Sequence, residues 1–169
     1  GISIEAIGGE DLPAVEKFLA HHARPLAPVM TAQDLAGLTN QGRGLHPADT
    51  LVARAGANLA GVVSLWDQSS VKQATIVGYD SKIQRLRPAI DAAAVVLGTP
   101  RLPGQGERIR MSYAAFLTIA DHDVRIGRAL LSEALRLAYR KGVDFVMLGL
   151  VEGDPLELVV NRRLRLAYR

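Results

Sequence analysis

Residues 122–131 read HDVRIGRALL, a short polar turn running into an apolar helical pattern. The first turn of a helix leaves main-chain N–H groups without helical partners, and the macrodipole favours negative charge beside them. Such a terminus either binds an external anion such as a phosphate or is capped by its own side chain. Both options are written here. Asp123 stands where its carboxylate can accept the N–H of Arg125 or Ile126, whereas Arg125 and Arg128 can give charge-assisted hydrogen bonds to a bound phosphate. Gly127 would let main chain approach a ligand closely.

Other residues with chemical potential are weaker signals. His21 and His22 are adjacent, but no third ligand follows at metal-binding spacing, so solvated or capping histidines are the better reading. Ser112 and Ser132 lack a His/Asp arrangement that would make a nucleophile. GTPRLPGQG has glycines but no Lys-Ser/Thr ending and no strand leading in, so it is not a P-loop. WDQSSVKQ puts Trp66, Asp67, Gln68 and Lys72 near a sheet end, where they could line a pocket; an ordinary turn is the expectation. The absence of cysteine excludes disulfides, thiolate metal sites and a Cys nucleophile. The densest basic run is NRRLRLAYR, at the C-terminus. With a net charge of +3 and 5% aromatics, it reads as a solvated arginine face with some affinity for anions rather than a nucleic-acid surface.

These residues need elements to hold them. ISIEAI alternates as a half-buried strand should, and EDLPAVEKFLAHHA has helical spacing, with Asp11 placed to cap and Pro13 in the first turn. TAQDLAGL offers Thr31 and Asp34 as a capping-box-like start to a short helix. TLVARAGANLAGVVSLW reads as a hairpin turning at residues 56–58, and VKQATIVGY as a further strand. RPAIDAAAVVLG reads as a helix with Pro88 near its start, Ile90, Ala94 and Leu97 on one face, and Gly98 closing it. TPRLPGQGER is loop.

IRMSYAAFLTI alternates Ile109, Met111, Tyr113, Ala115, Leu117 and Ile119 against more polar neighbours. The helix GRALLSEALRLAYRKG follows, with Leu130, Leu131, Ala134, Leu135 and Ala138 as its apolar stripe and Gly142 as its closing residue. FVMLGLV looks like a central buried strand, and EGDPLELVV starts a helix with Asp154 as cap. The closing strand–helix–strand predicts a right-handed parallel crossover whose ligand crevice lies at the strand's carboxyl end, where ADHDVRIG sits. No repeat, linker or low-complexity segment divides the 169 residues, and no apolar run approaches a membrane span. One soluble α/β (α+β) domain is expected. The opening residues have no secretory pattern, and with the missing cysteines this fits a cytoplasmic protein. A chain that begins on Gly1 rather than Met reads as a fragment or as one carrying an appended leading residue.

The order of elements and the segment IGRALLSEALRLAYRKGVDFVMLGL together resemble the GNAT superfamily of acyl-CoA-dependent N-acyltransferases. The family's loop is Gln/Arg-x-x-Gly-x-Gly/Ala. Aligning on GRALL puts His122 in the Gln/Arg slot, Arg125 where the first glycine belongs and Gly127 in the last slot. The resemblance implies a largely antiparallel mixed sheet flanked by helices, here with a longer insertion from about Val71 to Arg108. It implies acetyl-CoA or another acyl-CoA as cosubstrate and a small-molecule or protein amine as acceptor; a homodimer is compatible with it. The coenzyme pyrophosphate would sit on His122, Val124, Arg125, Ile126, Gly127, Arg128 and Ala129. Pantetheine amides would pair with the main chain of Leu117, Thr118 and Ile119, on a strand that splays from its neighbour. The family's catalytic acid, a tyrosine after the last crossover helix, falls on Tyr168 by one alignment, whereas another fills that slot with Asn161. Conceivable bases are Glu107, Asp121 and His122. The chain ends before the family's two final strands, which help shape the acceptor pocket. Two further readings stay open: a GNAT-fold binding or assembly module that does not bind coenzyme A productively, and an anion- or nucleic-acid-binding domain using the C-terminal arginines.

Overall fold

The computed structural model describes residues 1–22, 31, 33–34, 36–37 and 44–160. Five strands form one mixed sheet in sequence order: β1 (Ile2–Ala6), β2 (Thr50–Ala55), β3 (Asn58–Trp66), β4 (Met111–Ile119) and β5 (Phe145–Met147). The first four are antiparallel neighbours, and β5 joins β4 in parallel. Helix α1 (Leu12–His21) packs Val15 and Phe18 with Val52 and Val62 on one face. Helix α3 (Val124–Arg140) packs Ile126, Leu130 and Ala134 with Leu51, Ala53 and Val63 on the other. Alternate β2 residues thus serve opposite cores, as strand pleating requires. A separate helix, α2 (Ser81–Leu97), lies in the excursion between β3 and β4.

Several local expectations hold with their chemistry. The β2–β3 hairpin turns at Gly56 with φ of 64°. Thr31 and Asp34 form a reciprocal capping box at 3.0 Å in both directions, although most of that segment lies outside the described residues. Gly98 and Gly142 end their helices at positive φ, where the absence of a Cβ removes the steric cost. Asp154 accepts the N–H of Leu156 and begins a 3-10 turn at Pro155–Leu158.

Other expectations are corrected. Asp11 does not cap α1; its carboxylate takes the N–H of Gly8 and a guanidinium hydrogen bond from Arg54. VKQATIVGY is not a strand of the sheet: it makes one isolated bridge, Thr75 with Arg108, and three main-chain bonds to the 106–109 segment. Helix α2 starts seven residues before Pro88, capped by Asp80 on the N–H of Lys82, and carries the proline inside it. Only Ala94 of its expected face is buried; Leu97 is 73% exposed. Leu135 likewise points outward from α3. FVMLGLV forms only the three-residue β5, which pairs with β4 alone among the described residues.

The alternation of β4 also breaks. Ser112 and Ala114 are buried before Phe116, but Leu117 and Ile119 are buried after it. The register against β3 slips between Val62 and Ser64, and Phe116 has φ of 56°. This is a β-bulge: one extra residue moves all later side chains to the opposite face.

Candidate functional site

The pairing of β4 with β5 lasts only from Met111–Phe145 to Tyr113–Met147. From Ala114 onward the two chains part. The gap opens into a cleft of about 490 Å³ lined by Thr118 and Ile119 of β4, Asp121 and His122 of the following turn, and the 151–156 segment. His22, at the end of α1, closes it from the other side, its ring 4.6 Å from Phe18. Asp121 and His122 have φ of 51° and 52°. That left-handed backbone costs of order 1 kcal/mol per non-glycine residue, though Asp and His enter it more readily than most. The bent turn brings both side chains to the cleft.

The helix that follows caps itself. Asp123 Oδ1 accepts the N–H of Arg125 at 2.8 Å, and the carboxylate takes the same residue's guanidinium at 3.2 and 2.8 Å. The side-chain and main-chain hydrogen bonds of Arg125 pull the Asp123 carboxyl down to about 2. Folding therefore gains from this group above its ordinary pKa near 3.8, and the gain is lost as pH falls through about 2. A carboxyl-detected NMR titration should give a midpoint about 2 for Asp123, returning toward 3.8 in Arg125→Ala; an unchanged midpoint in that variant would rule out the arginine as its cause. Arg128 is also engaged, donating to the carbonyl of Leu158 at 3.3 Å.

Gly127 meets a different requirement from the one its loop position suggests. A Cβ there would fall 2.4 Å from Ile119 Cδ1 and 2.7 Å from Val159 Cγ2. The glycine lets α3 pack against β4 and the segment after the 3-10 turn. Ile126 is buried beside it in the same core.

Thr118, Ile119, Asp121 and His122 thus gather at the cleft. Leu117 precedes them on β4, its side chain in the core, and Val124, Arg125, Ile126, Gly127, Arg128 and Ala129 form the start of α3. Glu107 is not among the cleft residues; it lies on the excursion and accepts the N–H of Gly104. Tyr168 and Asn161 lie outside the described residues. The sequence singles out His22 only as half of a weak metal signal and gives no sign of Glu152; both reach the cleft from positions distant from the 118–122 stretch. Among the described residues, the lining holds Asp121, Glu152 and Asp154 with two histidines, and neither lysine nor arginine. These carboxylates favour a cationic group over an anionic one beside them.

No protein-family model matches the chain. No curated protein matches it either. Solved structures do. The YncA protein of Salmonella typhimurium, solved with its cofactor acetyl-CoA, superposes with a TM-score of 0.56 at 13% identity, over 93% of this chain and 74% of that one. Ribosomal-protein-alanine N-acetyltransferase of Brucella melitensis gives 0.53 at 18% identity, over 98% and 88%. The chain has the GNAT fold. A further match is the Mycobacterium tuberculosis protein Rv2747 in complex with CoA and NLQ, at a TM-score of 0.54 and 11% identity over 92% of this chain and 68% of that one. In the GNAT frame, the parting of β4 from β5 is the expected splay.

Proposed function

We propose that this protein is an acyl-CoA-dependent N-acyltransferase acting on an amine. The observation that carries the reading is the parting of β4 and β5, which opens the cleft beside Thr118 and Ile119 and the turn of Asp121 and His122 that leads into α3. Structures of the same fold hold coenzyme A or acetyl-CoA, which supports an acyl-CoA as the second substrate here. In such a transfer the amine nitrogen attacks the thioester carbonyl, the C–S bond breaks, the thiolate leaves and the amine proton passes to a base. His22, His122 and Asp121 border the cleft and are among the described side chains suited to take that proton. The carboxylates of the lining suit a protonated amine arriving from solvent.

A thermal-shift titration tests this. Acetyl-CoA at about one hundred times its Kd should stabilise the protein by about 2.7 kcal/mol, raising Tm by roughly 5–10 °C. Arg125→Glu should abolish the shift, because it puts negative charge where the pyrophosphate would lie. A full shift in that variant would place the coenzyme elsewhere. Absence of any shift with acetyl-CoA and longer acyl-CoAs would favour the second reading, a GNAT-fold binding or assembly module. The self-capped start of α3 is the observation on that side.

A further inference from the structure

WDQSSVKQ is more than a turn. It walls a second cavity of about 220 Å³ at the end of the sheet opposite the α3 start, between the excursion, the beginning of β4 and the end of α3. That volume is about seven times the liquid share of one water molecule, enough for a small organic ion. The wall is firmly held. The N–H of Asp67 donates to the carbonyl of Gly44 at 3.0 Å, and a Cβ on Gly44 would collide with the carbonyl oxygen of Asp67. The N–H of Lys72 closes the turn on the carbonyl of Gln68 at 2.7 Å, and Ile109 donates to Ala74 at 2.9 Å.

The charges of this cavity do not cancel. Among the described residues, Lys72, Arg108, Arg110 and Lys141 line it, against one carboxylate, Asp67. Arg110 is matched by a two-pronged pair with Asp144 at 2.9 Å, and Lys141 by the buried Asp49 at 2.6 Å. Among the described residues, neither Lys72 nor Arg108 pairs with a carboxylate. Lys72 instead rests over Tyr113, 5.5 Å from the ring centroid and 3.2 Å from the hydroxyl. Gln68 and Gln73 add amide groups to the lining. Two unmatched cations, a phenol and two amides suit an oxyanion: Arg108 can grip two oxygens at once, and Lys72 supplies a point charge.

We propose that this cavity is a binding site for a small oxyanionic molecule, its carboxylate or phosphate group held by Lys72 and Arg108. The site is separate from the β4–β5 cleft, so it stands or falls independently of the acyltransferase reading. The test is amide chemical-shift mapping with inorganic phosphate and, separately, succinate, at ionic strength held constant with chloride. At least one probe should give a saturable shift confined to residues 67–74, 108–113 and 141–143. Lys72→Ala/Arg108→Ala should weaken that binding at least tenfold, whereas Arg85→Ala, a cation of α2 outside the cavity, should leave it unchanged. All three substituted side chains are exposed, and the amide spectra themselves report whether each variant keeps the fold. Saturation by phosphate alone would identify a phosphate ester, and by succinate alone a carboxylic acid. No saturable shift with either probe, or wild-type affinity in the double variant, would overturn the proposal. Titrating acetyl-CoA into the same samples reads the other cleft, through residues 118–129 and 151–156.

Discussion

Gly127→Val should lower Tm by roughly 5–10 °C in the absence of any ligand. The new Cβ would lie 2.4 Å from Ile119 Cδ1 and under 3 Å from both methyls of Val159. Real side chains do not tolerate such distances, so α3 must move or its neighbours must leave their rotamers. Overpacking of this kind costs about 2–3 kcal/mol, and a domain of this size loses roughly 2–4 °C per kcal/mol. Helix propensity acts in the opposite direction, because valine in a helix interior is a few tenths of a kcal/mol better than glycine. The two accounts of this glycine therefore predict opposite signs. If Gly127 served only to let phosphate approach, the ligand-free protein would be unchanged or slightly more stable, and only coenzyme affinity would suffer. A fall in Tm without ligand, with near-normal unfolding cooperativity, would identify packing as the reason glycine occupies this slot.

That distinction shows what the sequence makes legible. The stripe of Leu130, Leu131, Ala134 and Ala138 is set by local periodicity, and so is the hairpin at Gly56, and both are found as expected. Asp154 caps as expected but begins a 3-10 turn, and of the two options written at the start of α3 the Asp123 cap is the one observed. The crossover from β4 through α3 to a parallel β5 follows from the same patterning. The bulge at Phe116 leaves no such trace. MSYAAFLTI is apolar enough to be read in either phase, and only the pairing with β3 decides where the extra residue goes. VKQATIVGY has strand-like composition but no sheet neighbour, so propensity alone does not make it a strand. The cleft itself was half visible. Thr118 to His122 are contiguous with the helix start, whereas His22 meets them only through the docking of α1, about a hundred residues earlier in the chain. Asp67, Gln68 and Lys72 were recognisable as polar groups near a sheet end. That Arg108 and Tyr113 join them there depends on how the excursion folds back.

Asp123→Ser should tighten acetyl-CoA binding at least tenfold. As the helix stands, one carboxylate accepts the N–H of Arg125 and holds its guanidinium. A pyrophosphate arriving at this helix start would compete for both groups and be repelled by the carboxylate. Serine keeps the cap, since its hydroxyl can still accept a first-turn N–H, but it removes the negative charge and releases the arginine. The freed guanidinium can then make charge-assisted hydrogen bonds to the phosphate oxygens. The arginine is largely exposed, at 84% of its side chain, so the gain should shrink as salt rises. Isothermal titration of wild type and Asp123→Ser at low and high ionic strength reads both effects. The double variant Asp123→Ser/Arg125→Ala should give back most of the gain, because the released arginine is its source. Unchanged affinity in Asp123→Ser would mean that the anion does not approach this end of α3. Coupled with an acetyl-CoA shift that survives Arg125→Glu, that result would move the phosphate site off the helix start while leaving the fold assignment intact.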